Sequence, residues 1–224
     1  MSLSQATRFA KRELRGGLKG FRIFLACLAL GVAAIAAVGS VRASIEAGLA
    51  REGAALLGGD AELELTYRFA TADERAWMEA NALEVSEIAD FRSMAVVGDE
   101  RGLTQLKAVD AAYPLIGDVG LEPEMPIEQA LTPDGPHPGA VMERILIDRL
   151  GLKIGDRFKL GTQEFTLSAA LTNEPDSAGG GFGLGPRIIV RKEALANSGL
   201  LGEGTLFSSK YRLKLAEGTD LDAI

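Results

Sequence analysis

Few residues in this chain of 224 have the types and spacing of a catalytic or metal-binding site. His137 is the single histidine, and no G-x-S-x-G elbow accompanies it, so a nucleophilic triad would depend on one loop residue. One histidine and one cysteine, Cys27, cannot supply the ligands of a structural zinc site. The chain also lacks a GxxxxGK[ST] run. The sequence therefore predicts no catalytic residue, no cofactor and no metal.

The glycine-rich run at residues 179–186 is the remaining candidate for ligand binding. A dinucleotide fingerprint requires a strand before it and a helix after it, whereas a proline and a predicted strand follow this run. We interpret the run as a loop. It is either a plain connection or a contact loop that presents Phe182 and Leu184 at its tip.

Charge is distributed unevenly. The net charge is −7, but residues 1–22 contain six basic side chains and one acid, while the rest contains 18 basic and 30 acidic groups. The acidic remainder argues against nucleic acid as a partner. The basic head precedes an apolar run, where it can contact anionic membrane lipid and hold its end in the cytoplasm. The orientation residues are Arg8, Lys11, Arg12, Arg15, Lys19 and Arg22.

Residues 23–41 form an uncharged run of 19 residues. At 1.5 Å per residue a helix of this length spans about 28 Å, close to the hydrocarbon core of a bilayer. A cleaved signal would have a shorter apolar core and a polar mature start, so we predict a retained transmembrane helix. The body would then lie in the periplasm of a Gram-negative cell.

Small residues recur every fourth position along this helix, at Ala29, Ala33 and Ala37. Such a stripe favours close packing against further transmembrane helices, although alanine is also common in isolated membrane helices. Apolar residues then continue near helical spacing at Val41, Ile45, Leu49 and Leu56. This pattern predicts a stalk helix over residues 42–59, stopped by Gly58 and Gly59.

The body, residues 60–224, has an α+β pattern. Thr71 opens a helix that runs to about residue 82, and residues 98–102 are expected to form a five-residue hairpin loop. A loop with one short helix at 127–131 covers residues 114–138. Further helices are predicted at 143–150 and 192–197, and the hairpin of 157–160 and 164–171 is typical of a small barrel or sandwich. The remaining predicted strands cover 60–66, 89–97, 103–109, 186–190 and 208–215. Residues 219–224 carry a helix-start signature, from which we expect that the domain is incomplete here.

Several short motifs, in order, resemble one family. They are the basic string at residues 12–22 running into the first helix, Leu57-Gly58-Gly59-Asp60, Tyr113-Pro114-Leu115, Asn173-Glu174-Pro175-Asp176 and Gly183-Leu184-Gly185-Pro186-Arg187. The chain is identified as a fragment of the permease subunit of FtsX/MacB/LolC-type ABC transporters, similar to the large permeases of the YbbP type.

The resemblance implies a cytoplasmic basic segment at 1–22, a transmembrane helix at 23–41, a stalk at 42–59 and a MacB-like periplasmic core at 60–224. It also implies a non-catalytic subunit of the bacterial inner membrane that works with a separate cytoplasmic ABC ATPase and further transmembrane helices. Its substrate would be hydrophobic or lipid-related. The alternative is a free-standing, signal-anchored periplasmic interaction domain without an ATPase partner. A third alternative, a membrane-anchored hydrolase, has almost no support from the residue types present.

Overall fold

The structure is a computed structural model that describes residues 3–132, 136–176, 185–202, 204–216 and 218–219. The chain divides into two compact units, Met1–Arg51 and Glu52–Ile224. Helix α1, Leu3–Leu57, is a single helix of 55 residues. No proline interrupts it, and neither Gly48 nor Gly53 breaks it. The segment Phe21–Ile45 of α1 is long and apolar enough to cross a membrane. None of its most apolar stretch is buried within the structure.

The second unit has the α+β composition that the sequence predicts. Its helices are α2 (Ala72–Asn81), α3 (Ile127–Leu131) and α4 (Arg144–Leu150), and a 3-10 helix covers Lys192–Leu195. Its strands are β1 (Ala61–Thr66), β2 (Glu84–Val97), β3 (Glu100–Val109), β4 (Gly120–Glu122), β5 (Gly139–Glu143), β6 (Arg157–Leu160), β7 (Gln163–Asn173), β8 (Arg187–Arg191) and β9 (Ser208–Lys214).

Local chemistry accounts for the helix ends. The Thr71 hydroxyl accepts a hydrogen bond from the Glu74 backbone N–H, and the Glu74 carboxylate accepts one from the Thr71 N–H, which forms a capping box at the start of α2. Arg68 also donates to Glu74, and this hydrogen bond, with the Thr71 bonds, lowers the pKa of Glu74 to about 2. Helix α4 ends at Gly151 in the left-handed conformation, with φ of +65°.

The strands form one mixed sheet in the order β1-β9-β2-β3-β8-β5-β7-β4. Strand β6 pairs with both β2 and β7, so β2, β3, β8, β5, β7 and β6 close a ring. The β3–β8 and β5–β7 pairs are parallel and the other pairs are antiparallel. The predicted hairpin of β6 and β7 therefore belongs to a barrel, one of the two alternatives that its pattern left open.

Three apolar clusters follow from this topology. The largest includes Phe91, Leu106, Phe158, Phe165 and Ile188 from the ring strands. A second cluster packs α3 against β5, β7 and β8. The third is small, because helix α2 brings only Met78 into full burial against Tyr211 and Leu213 of β9.

Some predicted boundaries are wrong. The hairpin of β2 and β3 is closed by two residues, Gly98 and Asp99, because Val97 pairs with Glu100 and the strands continue through the charged residues expected to form the loop. Residues 192–197 form a 3-10 helix that ends at Leu195. Strands β4 and β5 were not predicted, and β2 begins at Glu84 rather than at residue 89. The expected helix start at 219–224 lies almost wholly outside the described residues.

Candidate functional site

Strand β9 presents two chemically different faces. Tyr211 and Leu213 point toward α2, whereas Lys210 and Arg212 alternate with them and point to the opposite face of the sheet. Both basic side chains are nevertheless buried. Buried cations require ionic or hydrogen-bonding partners, since desolvation of an unpaired charge is costly. The face of β9 that carries Lys210 and Arg212 is therefore the candidate functional site.

Acidic side chains from two other segments meet these cations. Arg212 Nε donates to Glu62 Oε2 of β1 at 3.0 Å, and its Nη1 forms an ion pair with Asp176. Lys210 Nζ lies 3.7 Å from Glu62 Oε1. The Asp176 side chain is completely buried, in the segment that follows β7. Arg212 thus joins the edge strand of the sheet to the barrel.

Lys107 of β3 reaches Asp176 from another direction. Its Nζ lies 2.5 Å from Asp176 Oδ2, donates to the Tyr113 hydroxyl at 3.2 Å and contacts Glu174. The Tyr113 hydroxyl in turn donates to Asp176 Oδ1 at 3.0 Å. Asp176 therefore accepts hydrogen bonds from Lys107 and Tyr113 and forms an ion pair with Arg212, so both of its carboxylate oxygens have a partner.

Arg187 at the start of β8 extends the cluster to β2. Its Nε donates to Glu174 Oε2 at 3.1 Å and its Nη1 to both oxygens of Asp90 at 3.1 Å. We name this cluster the buried ion network. It has four basic members, Lys107, Arg187, Lys210 and Arg212, and four acidic members, Glu62, Asp90, Glu174 and Asp176, with Tyr113 as a hydroxyl bridge.

Burial and pairing shift the pKa values within the network. Burial lowers the pKa of Lys107 to about 7, and the charge of Glu174 only partly opposes this. Burial alone would raise the pKa of Glu174, but Lys107 and Arg187 together hold it below its ordinary value. The pKa of Arg187 is raised, because Asp90 and Glu174 outweigh the opposing effect of its burial. Glu174 is thus held in its charged form, and the lowered pKa of Lys107 lies close to neutral pH.

The end of α1 lies against this network. Gly58, the first residue after α1, has φ of +71° and is buried. A Cβ at this position would stand 2.7 Å from Arg212 Nη1 and 2.8 Å from the Asp176 Cβ, so only glycine fits without displacing the network. Asp60 fastens the same turn to β9, since its N–H donates to the Leu213 carbonyl at 2.9 Å and its carboxylate accepts from the Leu215 N–H at 2.8 Å.

This geometry describes a junction between the turn that follows α1, the edge of the sheet and the barrel. Among the described residues, no group of three or more His, Cys, Asp and Glu side chains could hold a metal ion. The Nε2 atom of His137 lies 3.8 Å from the carboxylate of Glu164.

The site residues predicted from the sequence are not members of the buried ion network. All six orientation residues lie on α1, where Arg22 is exposed and the other five side chains are outside the described part. Ala29, Ala33 and Ala37 are exposed on α1, as are Val41 and Ile45. Leu49 and Leu56 belong to the same helix, but their side chains are not among those described, and Phe182 and Leu184 lie outside the described residues. Their proposed roles remain predictions.

Sequence reasoning missed the buried ion network. Its acidic members did not stand out among the many acidic residues of the chain. Its charged members come from five strands and the segment after β7, so no sequence motif with a fixed spacing connects them. A signal was nevertheless present. Four of the five motifs that carry the family resemblance contain Gly58, Tyr113, Glu174 with Asp176, and Arg187, all of which meet at this site.

Comparisons with known proteins agree with that signal. A family model described as the MacB-like periplasmic core domain matches residues 23–224. An uncharacterized ABC transporter permease of Escherichia coli K12, YbbP, is 28% identical over 189 residues, which are 83% of this chain and 22% of the relative. The chain thus spans about a fifth of the length of that relative.

Solved structures with related folds include two transporter domains. The extracellular domain of the noncanonic ABC-type transporter YknZ from Gram-positive bacteria has a TM-score of 0.47 and 11% identity, over 66% of this chain and 75% of that one. The periplasmic region of MacB from Actinobacillus actinomycetemcomitans has a TM-score of 0.46 and 10% identity, over 74% of this chain and 79% of that one.

Proposed function

The chain belongs to the MacB-like periplasmic core domain family of ABC transporter permeases, and on that premise we propose that it is the mechanical part of such a permease. In this proposal α1 crosses the inner membrane and the body lies in the periplasm. A separate cytoplasmic ABC ATPase supplies the energy. The chain itself catalyses no reaction, and the buried ion network passes the displacement of α1 to the sheet and the barrel.

The observation that carries the proposal is the extent of the family match. It includes the apolar segment of α1 and the whole second unit in one continuous stretch, residues 23–224. The buried ion network supports the mechanical role, because it surrounds Gly58, where α1 ends, and contains side chains from five strands. A junction that must transmit force is expected to be rigid, and a network of buried ion pairs provides that rigidity.

The finer assignments belong to the same proposal. The basic residues from Arg8 to Arg22 hold the N-terminus in the cytoplasm, and the alanine stripe packs against other transmembrane helices of the permease. The residues of the predicted stalk carry the motion out of the membrane. The substrate of the permease is hydrophobic or lipid-related. The contact surface for such a molecule is an open cavity of about 680 Å³, lined by Tyr67, Phe91, Leu206 and Phe207 among others.

Topology is tested by charge reversal. Combined Arg15→Glu, Lys19→Glu and Arg22→Glu substitutions remove the cytoplasmic anchor, so the body should become resistant to protease added to spheroplasts. The unmodified chain should be digested, and Arg92→Glu, an exposed site in the body, serves as the matched control. Equal digestion of the charge-reversed and unmodified chains would contradict the orientation.

Coupling is tested by purification from the native membrane and reconstitution into lipid nanodiscs. We expect an ABC ATPase to co-purify and its ATP hydrolysis to depend on the permease. Asp176→Ala should retain the ATPase but lose that dependence, whereas Glu122→Ala, which removes an exposed ion pair with Arg144, should preserve it. If no ATPase co-purifies, the signal-anchored interaction domain becomes the better description.

A further inference from the structure

Strand β2 lacks a partner strand over part of one edge. On the side away from β3, its residues 84–90 pair with β9 and its residues 95–96 pair with β6. Residues 91–94 lie between these two pairings, and within the described part of the chain no strand pairs with them on that side. The cavity of about 680 Å³ lies at this gap, since Phe91 and Arg92 line it. It therefore opens along the edge of a barrel strand.

The inner wall of this cavity is apolar. Phe91 and Phe207, which are 6% and 7% exposed, belong to the largest apolar cluster, and Leu200 packs against that cluster. The cavity volume lies within the range of about 300–1,000 Å³ that is usual for sites that bind small molecules. An apolar ligand bound here would therefore extend the core of the barrel.

Two large side chains are exposed at the mouth of the cavity. Tyr67 is 60% exposed and Leu206 is 71% exposed. Tyr67 also has φ of +60°, and in the described part of the chain it is the one residue other than glycine with a positive φ. Its N–H donates to the Phe207 carbonyl at 2.8 Å. The left-handed conformation is unfavourable for a bulky residue, and such strain concentrates at binding sites, so this turn favours ligand binding at the mouth.

The charge available at the mouth is positive. Arg92 is exposed and forms no ion pair within the residues that the structure describes. Asp90, the acidic residue that lines the cavity, is already bound: it accepts from Gln105, and both of its oxygens accept from Arg187 Nη1 at 3.1 Å. Arg92 therefore remains available to an anionic group of a ligand.

We propose that this cavity binds a long-chain fatty acid. The acyl chain packs on Phe91 and Phe207, and Tyr67 and Leu206 cover it at the mouth. The carboxylate pairs with the guanidinium of Arg92, whose planar fork matches its two oxygens. One unpaired cation suits one negative charge, whereas a zwitterionic headgroup would also bring a cation toward Arg92. The inference rests on the proposed function in one respect, that the substrate is lipid-related.

Photo-cross-linking with a fatty acid tests the proposal. The probe is a palmitic acid analogue with a diazirine in its chain. It is added to the intact permease in lipid nanodiscs at about pH 8, where a carboxylate is ionised. After irradiation, mass spectrometry locates the labelled peptides and measures their yield. We expect labelling at residues 91–94 and 205–208, and we expect unlabelled palmitate to compete.

Two comparisons isolate the role of Arg92. Arg92→Gln should lower the labelling of these peptides about three- to tenfold, because a charge-assisted pair is lost. Arg101→Gln is the matched control and should leave the yield unchanged, since Arg101 is also exposed on the β2–β3 hairpin but does not line the cavity. The methyl ester of the probe has the same chain without the charge. It should label the unmodified chain at the reduced level, and Arg92→Gln should not lower that level further.

Each other outcome overturns the proposal. Labelling confined to α1 would mean that the fatty acid stays in the bilayer. Equal labelling by the acid and its ester, or an unchanged yield in Arg92→Gln, would mean that the cavity recognises no anion. Competition by lysophosphatidylcholine as strong as that by palmitate would assign the cavity to a zwitterionic lipid. None of these measurements requires ATP hydrolysis or a co-purified ATPase, so failure here is distinguishable from failure of the proposed function.

Discussion

The substitution Gly58→Ala tests how strongly the end of α1 depends on the buried ion network. Two effects should add at this position. Alanine at a φ of +71° suffers the left-handed backbone penalty of about 1–2 kcal/mol. Its Cβ would also come within 2.8 Å of the Asp176 Cβ, and Asp176 cannot move away because its carboxylate is held by Lys107, Arg212 and Tyr113.

The chain contains a closely matched control. Gly199 has the same φ of +71°, but a Cβ there would meet nothing within 4 Å, so Gly199→Ala measures the backbone penalty alone. Overpacking of a well-packed site costs about 1–3 kcal/mol. We therefore expect Gly199→Ala to lower the free energy of unfolding by about 1–2 kcal/mol and Gly58→Ala by about 2–5 kcal/mol.

The assay is urea unfolding in detergent micelles, followed by the fluorescence of the single tryptophan, Trp77. The comparison is valid if both variants keep the m-value of the unmodified chain. Equal losses of unfolding free energy in the two variants would refute the reasoning, because the close approach to Asp176 and Arg212 would then have no energetic consequence.

Three further predictions use the same assay. Asp176→Ala should lower the free energy of unfolding by about 3–5 kcal/mol, because it leaves buried cations without their partner. Glu122→Ala, at an exposed ion pair, should lower it by at most about 1 kcal/mol. Similar losses in the two variants would contradict the importance of burial. Between pH 7 and 10.5 the unfolded chain holds a proton on Lys107 that the folded chain releases. The free energy of unfolding should therefore rise with pH in this range, by up to about 1.4 kcal/mol per pH unit. This contribution to stability is lost as the pH falls through 7. Lys107→Met should remove that slope, and an unchanged slope would assign it to other groups. Thr71→Ala should cost about 1 kcal/mol through loss of the α2 cap, and Thr132→Ala is the control, since its hydroxyl donates to a helix carbonyl and caps no N-terminus.

The sequence predicted those elements whose signals are local. The threonine cap of α2, the glycine stop of α4 and the alternation in β9 each depend on a few adjacent residues. The charged residues Glu100 and Arg101 misled the hairpin prediction, because exposed strand ends and loops have similar composition. Closure of the barrel was not predictable, since β2 and β6 pair at two positions only.

The buried ion network was hidden for a related reason. In β3, Lys107 alternates with Leu106 and Ala108, a pattern that normally places the charged residue on a solvated face. That face is covered by Tyr113 and by the segment of Glu174 and Asp176, which is 67–69 positions away along the chain. The alternation of residue types shows only that the two faces of β3 differ. Which residues cover its polar face depends on the tertiary fold.

The pairing of β1 with β9 also sets the order in which this domain can assemble during synthesis. Glu62 and Arg212 are opposite each other in that pair and 150 positions apart in the chain. At about 5–20 residues per second, the ribosome needs roughly 10–30 s to produce β9 after β1 has emerged. During that interval Leu63, Leu65 and Trp77 have no strand to complete their apolar surface. Strand β1 must therefore wait for β9, the last strand among the described residues, and until then its unpaired backbone is open to pairing elsewhere.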